Sequence, residues 1–375
     1  MRRTVVTLIA LMLLLFSVSC STTNERMAVS EADTAGLETG ECNLPSSLEI
    51  TAIDIGQGDA TLVASPESLL LVDCGETSWN SHKGADKVDS VIKTKYGENC
   101  NVIDYVIITH MHLDHVGYVG NGGIWDLVNN KGYVIREKTL LRNYEDNVGT
   151  ADGTYEKWRA HLESPEGSSR LEPVTASLGS SQVDMGYVGQ EKIDVRIVAV
   201  DGRTASRPGG ARPEILGDHR RDKYPPSEND YSLGFVISLG NFQMFFGGDM
   251  DGEDQRGPSF KYHDVESFVA HEVGDVEILR VNHHGSSHST NHRFVQFLRP
   301  EVSIISAGDS NTYGHPSQKV LNRLKEARSE VYLTERGDPS RDIGSATVAG
   351  DVEIVVSPDG SSFTVEDKQY FSMPP

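Results

Sequence analysis

The chain has 375 residues, of which 37% are hydrophobic and 24% charged, and it carries a formal net charge of −21. That length leaves room for one large domain with insertions, and the composition is that of an ordinary soluble globular protein. An excess of 55 acids over 34 bases opposes non-specific binding to a nucleic-acid backbone, which needs clustered Lys and Arg.

Met1-Arg2-Arg3 precedes an apolar run, Val5–Phe16, which is followed by the small residues Ser17, Ser19 and Cys20. A basic start, a short greasy core and a small-residue exit predict a secretory signal over residues 1–19, too short for a comfortable membrane span. Cys20 is then either the lipid-modified first residue of an envelope lipoprotein or simply the first residue after cleavage and secretion. Ser17 stands where a lipoprotein signal usually carries Leu. In both cases the protein is exported, and any membrane contact runs through a lipid on Cys20. Residues 20–46 read as a flexible polar tether. Export permits disulfides; Cys42 and Cys100, each just before a strand-like run, are the expected pair, and Cys74 is a buried core residue.

Residues 48–54 alternate as a strand ending in Asp54. The glycine-hinged turn Ile55-Gly56-Gln57-Gly58-Asp59-Ala60 follows, then strands over 61–64 and 69–72. Helical spacing over 84–97 puts Val88, Val91 and Ile92 on one side. The continuous apolar run Val102–Ile108 reads as a buried strand, and it delivers Thr109-His110-Met111-His112-Leu113-Asp114-His115. Side chains two apart in extended backbone point the same way, so His110 and His112 can pinch one cation. Once the chain turns at Leu113, Asp114 and His115 face a second. Imidazole with carboxylate suits zinc or a similar divalent metal.

A helix begins near Ile124, after Gly122-Gly123. From 131 to 228 the pattern weakens, with one strand at 193–200, and the segment reads as a loop-rich insertion bordering the site. Tyr144 and Trp158 are candidates for a substrate wall, although such aromatics more often anchor a small subdomain. His161, His219, His263 and His271 lack neighbours that suggest a ligand set. Strands over 231–239 and 242–246 lead to Gly247-Gly248-Asp249, an aspartate well placed to bridge two metals, although taken alone it reads by default as a turn residue. A helix over 261–272 and a strand over 276–281 deliver Asn282-His283-His284-Gly285-Ser286. A helix over 290–298, a strand over 302–307, the segment Asn311–Pro316 and a helix to about 328 come next. Strands over 331–334, 346–356 and 362–365 finish a domain spanning 47–366, with 367–375 as a tail. Ligand-type residues recur at strand ends, which argues an α/β layered fold with its site along one sheet edge.

Together, the Asp54–Asp59 turn, the His110–His115 run, Gly248-Asp249, His283-His284-Gly285-Ser286 and Tyr313-Gly314-His315-Pro316 resemble the metallo-β-lactamase superfamily, in its ComEC-like branch. The same segments are similar to a phosphorylcholine esterase domain that cleaves a phosphodiester on teichoic acid. The resemblance implies a four-layer αβ/βα sandwich with two divalent ions, zinc by preference. It assigns His110 and His112 to the first ion, Asp114, His115 and His284 to the second, and Asp249 to both. His283 falls outside the ligand set, behind it, and Asp54 matches a buried aspartate that braces the histidine loop. Many members supply a third histidine to the first ion where this chain has Asn229-Asp230-Tyr231-Ser232, as the ComEC-like branch does; the resemblance then implies a weaker first site or one completed by water or substrate, with His219 as a further substitute.

The expected activity is hydrolysis by water activated between two cations, on an anionic phosphate ester of nucleic acid or of an envelope polymer. His315 and Ser286 are candidates for contacting the substrate or protonating the leaving group, with loop-stabilising hydrogen bonds as the alternative. Hydrolysis of a lactam, lactone or thioester is the competing activity, and a non-catalytic, metal-stabilised envelope module the competing class. A stable nucleic-acid complex is not expected at this net charge.

Overall fold

A computed structural model describes residues 39–77, 83–143, 153–204, 215–217, 219 and 221–373. The expected signal segment, Cys20, most of the tether and Tyr144 lie outside the described residues. In chain order, strands Leu48–Ala52 (β1), Ala60–Ala64 (β2) and Leu69–Cys74 (β3) precede helix Lys83–Tyr96 (α1) and strand Val102–Ile107 (β4). Short helices Leu113–Val116 (α2) and Gly123–Asn129 (α3), strand Val134–Leu141 (β5), helices Gly153–Leu162 (α4) and Pro165–Leu171 (α5) and strand Pro173–Thr175 (β6) follow. A minimal hairpin, Tyr187–Val188 (β7) with Glu191–Lys192 (β8), leads to Asp194–Val200 (β9), Arg203–Thr204 (β10), Gly234–Leu239 (β11) and Phe242–Phe246 (β12). A second small hairpin, Gln255–Arg256 (β13) with Lys261–Tyr262 (β14), precedes helix Glu266–Val273 (α6) and strand Ile278–Arg280 (β15). Helix His292–Leu298 (α7), strand Val302–Ile305 (β16), helix Gln318–Glu326 (α8) and strands Glu330–Leu333 (β17) and Thr347–Val348 (β18) continue the alternation. Val352–Val356 (β19), Ser362–Val365 (β20) and Lys368–Phe371 (β21) close the chain.

Two large sheets result, ordered β21-β20-β19-β1-β2-β3-β4-β5-β6 and β10-β9-β11-β12-β15-β16-β17-β18. Successive residues of a strand face opposite sides, and here each side meets a core. Leu70 and Val72 of β3, with Tyr105 and Ile107 of β4, enter the apolar layer between the sheets, where they meet Phe235, Phe246 and Ile304. Leu69 and Leu71 turn the other way, onto Val88 and Ile92 of α1 and Leu127 of α3. Phe245, Leu279 and Ile305 of the second sheet pack outward on Val269, Phe294 and Leu324 of α6, α7 and α8. Three cores between helices, sheet, sheet and helices make the four-layer α/β sandwich. Burying one Leu or Phe of this kind stabilises by roughly 1.5–3 kcal/mol. No helix among the described residues is long and apolar enough to cross a membrane.

The structure corrects several boundaries. Residues 131–228 are not a loop-rich insertion: β5 and β6 extend the first sheet, and β9 and β10 form an edge of the second. The exposed Arg136 and Glu137 break the apolar run of β5 while its second half is buried, so its period is invisible in the sequence. Residues 367–375 are not a tail throughout, because β21 pairs with β20, Phe363 opposite Tyr370. The tether ends early. Gly40 N donates to Asn101 Oδ1 at 2.9 Å and Asn43 N to Tyr96 O at 2.8 Å, and the Cys42–Cys100 disulfide forms. The expected strand over 346–356 divides between the sheets, as β18 and β19.

The disulfide closes a loop of 58 residues, for which chain entropy gives about 4 kcal/mol. Reduction should lower the unfolding free energy by about 2–4 kcal/mol, read as a shift of the urea midpoint; an unmoved midpoint would show that residues 39–46 contribute nothing to the fold.

Candidate metal centre

β4 is buried along its whole length, and its tip carries the His110–His115 run. His112 keeps an extended backbone and caps α2, its carbonyl accepting from His115 N and Val116 N at 3.0 and 2.9 Å. The turn at Leu113 follows, as expected. The loop is pressed onto the end of β3. Asp114 O accepts from Asp59 N at 2.8 Å, and a Cβ on Gly75 would lie 1.8 Å from that same oxygen. Only glycine permits this approach. A Cβ on Gly248 would meet the Thr109 side chain at 2.7 Å, so the tips of β4 and β12 touch and bring Asp249 to the histidines.

Asp249 lies between two groups of imidazoles. Its Oδ1 is 3.0 Å from His115 Nε2 and 3.8 Å from His284 Nε2. Its Oδ2 is 3.6 Å from His283 Nε2 and 3.9 Å from His110 Nε2. His284 Nε2 is 3.2 Å from Asp114 Oδ2, and His110 Nε2 is 3.1 Å from His112 Nδ1. Ligand atoms of Asp114, His115, Asp249 and His284 all lie within 4.8 Å of one another. His115 Nε2, Asp249 Oδ1 and His284 Nε2 are buried and make no hydrogen bond, an arrangement that a cation would satisfy and that is costly without one.

The electrostatics agree with that fit. Burial works to raise the Asp249 carboxyl, but the charges of His115, His283 and His284 outweigh it and hold the group well below its ordinary value. Burial likewise opposes a proton on His284, yet Asp249, Asp59 and Asp114 push it up to about 10. His115 is raised well above its usual value against burial, by Asp249 and Asp73. Without a cation the site balances its carboxylates with protons, which a bound metal must displace; loading therefore releases protons and tightens as pH rises.

β15 leads into the turn Asn282–Gly285, where His283 and His284 hold φ of 52° and 51°. Left-handed backbone at two adjacent non-glycine residues is strained and persists only where the surroundings impose it. His283 N donates to Gly248 O at 3.0 Å, and Ser286 N to His283 O at 2.8 Å. Asn282 Nδ2 donates to the buried Glu266 at 2.8 Å. His284 Nδ1 is 3.0 Å from Ser306 O, a contact that leaves Nε2 for the site.

Two expectations are corrected. Asp54 does not brace the histidine loop: its Oδ1 accepts from Gly56 N at 3.0 Å, within its own turn. The brace is Asp73, at the end of β3, which accepts from Thr109 N at 2.8 Å, Thr109 Oγ1 at 2.7 Å and His115 Nδ1 at 2.8 Å. The short path from Asp54 back to its own turn satisfies the carboxylate locally, whereas β3 runs parallel beside β4 and aims its last acid at the loop. His283 does not stand behind the site. Its Nε2 faces Asp249, while its Nδ1 is 3.1 Å from the buried Asp251.

His315 is buried and its Nδ1 has no partner; burial beside His283 and His284 pushes it down to about 3, so it is neutral. Ser286 Oγ is 3.1 Å from His288 Nε2, and His288 Nδ1 is 2.7 Å from Asp251 Oδ1. This Ser-His-Asp relay lies off the cavity, with Tyr262 stacked on the His288 ring at 4.0 Å, so it scaffolds the histidine turn. Trp158 is fully buried and donates from Nε1 to Gly117 O at 2.8 Å; it is an anchor and not a substrate wall. His219 pairs with Asp222 at 2.8 Å and joins no ligand cluster among the described residues. The cavity over the site holds about 950 Å³ and is also lined by Asn229, Phe260, Tyr262 and Tyr313.

The model of the Metallo-beta-lactamase superfamily matches residues 53–309. ComE operon protein 3 of Bacillus subtilis (strain 168) is 27% identical over 310 residues, covering 78% of this chain and 32% of that protein. Recombination protein 2 of Haemophilus influenzae is 22% identical over 286 residues, 76% of this chain and 27% of its own length. The chain thus spans about a third or less of these curated relatives. Among solved structures, CmlA, a diiron beta-hydroxylase from Streptomyces venezuelae, aligns at 12% identity and a TM-score of 0.39 over 76% of this chain and 52% of that one, too remote a likeness to bear on the chemistry.

Proposed function

The chain belongs to the metallo-beta-lactamase superfamily of metal-dependent hydrolases, and from that premise we propose that it hydrolyses phosphodiesters, of nucleic acid or of envelope phosphate polymers. The observation that carries the reading is the division of the Asp249 oxygens between two groups of imidazoles, with His115 Nε2 and His284 Nε2 left without partners. In this reading Asp114, His115, His284 and Asp249 would hold one divalent cation, and His110, His112 and Asp249, with His283 facing the same carboxylate oxygen, would hold another. Zinc suits the donor set. Such cations acidify water and neutralise charge growing on a phosphoryl group.

The chain's own residues supply position and shape. No Lys or Arg is among the described residues lining the cavity, so an anionic substrate depends on the cations for its attraction. Asn229 Nδ2, 3.3 Å from the His283 ring, is placed to orient that imidazole. His315, neutral and with a free Nδ1, is placed to contact the leaving group. The Cys42–Cys100 disulfide supports an oxidising compartment, in keeping with export as a lipoprotein through Cys20 or as a secreted enzyme. Contact with nucleic acid is then transient.

A substrate panel tests this. Bis-p-nitrophenyl phosphate should be cleaved, a β-lactam, a lactone and a thioester left intact, and turnover lost on chelation and restored by zinc. Cleavage of the carbonyl substrates without the diester would overturn the reading. Tight zinc binding with no turnover of any of them would make the protein a binding module.

A further inference from the structure

Part of the cavity wall is the β13–β14 hairpin, whose Ser259, Phe260 and Tyr262 line the cavity. Alternate strand residues face opposite ways, so Lys261, between two cavity-facing aromatics, points to the outer side. Its direct cross-strand partner is Arg256. Like charges placed opposite each other in a ladder are destabilising. A third cation adjoins them: the Arg256 guanidinium lies 4.0 Å from the Tyr224 ring centroid and Lys223 Nζ 5.3 Å from the same centroid. All three basic residues are exposed, and none is ion-paired with a carboxylate among the described residues. The nearby acids are engaged: Asp222 with His219 at 2.8 Å, and Asp254 as acceptor from Asp264 N at 3.1 Å.

A chain of net charge −21 has acids to spare for neutralising such a cluster, yet here it is left open beside the cavity. Asp222, Pro225 and Pro226, on the same segment as Lys223, line the cavity themselves, so the basic face and the cavity floor are two sides of one wall. We propose that Lys223, Arg256 and Lys261 bind backbone phosphates of a linear phosphodiester polymer whose scissile unit lies at Asp249. This rests on the phosphodiesterase reading and sharpens it: the substrate is a chain, and not an isolated ester. A lipid surface fits less well. Membrane-surface binding needs apolar groups beside the cations, and among the described residues no exposed large hydrophobic side chain falls between 219 and 262.

The test uses the otherwise wild-type, zinc-loaded protein, read at about 4 °C before turnover, because replacing Asp249 would remove the cations that hold the scissile unit. Fluorescence anisotropy with a labelled oligothymidylate of about 12 nucleotides is compared with a dinucleotide, with poly(glycerol phosphate) in parallel, across a salt series. The K223Q/R256Q/K261Q variant should bind the longer chain at least tenfold more weakly. Its log–log salt slope should fall by about 2, at roughly 0.7 per phosphate contact on a single strand, with dinucleotide affinity unchanged and a melting temperature no lower than its parent's. Loss for both polymers shows that the backbone alone is read, and loss for one names the source. Equal affinity and slope in the variant overturn the proposal. So does capture on phosphatidylglycerol vesicles that depends on the three cations when neither polymer does. If the wild-type protein cleaves no diester while the variant still loses polymer binding, the surface stands and the hydrolase reading falls.

Discussion

Asp249→Asn is expected to lower hydrolysis of bis-p-nitrophenyl phosphate by about 1,000-fold or more. The substitution keeps the shape of a fully buried side chain but puts an amide N–H₂ where a carboxylate oxygen faces His115 at 3.0 Å or His283 at 3.6 Å. A donor aimed at a cation repels it, and the loss of negative charge leaves neighbouring imidazoles no reason to converge. A bound cation contributes several kcal/mol to stabilising transition-state charge, and each 1.36 kcal/mol is tenfold in rate. Zinc per chain, measured by atomic emission after dialysis, should fall in step with activity. Retention of a tenth of the activity with unchanged zinc would remove Asp249 from the centre of the chemistry.

Asp73→Ala should damage the fold and the site together. Three buried donors, from Thr109 and His115, lose their acceptor, at about 1–3 kcal/mol for each buried group left unsatisfied. Asp73 also holds φ of 56°, where Ala carries a further cost of roughly 1–2 kcal/mol. Asp73→Asn separates the effects, because Asn tolerates that backbone and keeps one acceptor. The Ala variant should lose about 4 kcal/mol or more by urea denaturation, and the Asn variant less than half of that. Both should bind zinc 10–100-fold more weakly, as when the partner of a ligating histidine is removed. Wild-type zinc affinity in Asp73→Asn would refute the bracing role.

The ligand run was legible because a buried apolar strand and a dense set of histidines are local signals, and Asp249 repeated the same strand-then-acid pattern. Asp73 was not. An acid closing Val72-Asp73-Cys74-Gly75 reads as a turn residue until β3 is known to lie parallel beside β4. Asp54 was favoured in its place by motif position, although its carboxylate is spent on Gly56 N. The left-handed pair His283 and His284 left no trace in composition, because their backbone is imposed by Gly248 O, Glu266 and Ser306 from other segments. β5 was hidden by Arg136 and Glu137, and β21 by the polar alternation of an edge strand. The basic hairpin was missed for a different reason: Arg256 and Lys261 are five positions apart, and only the ladder makes them neighbours.

β1 pairs with β2 on one side and with β19 on the other, Leu48 opposite Val356. One neighbour is synthesised within a dozen residues of it; the other leaves the ribosome roughly 300 residues later. Until then the first sheet has an open edge of apolar residues, the kind of surface that recruits other chains. A nascent or truncated polypeptide ending before residue 352 is therefore an aggregation hazard even though every residue of the His110–His115 run has already been made.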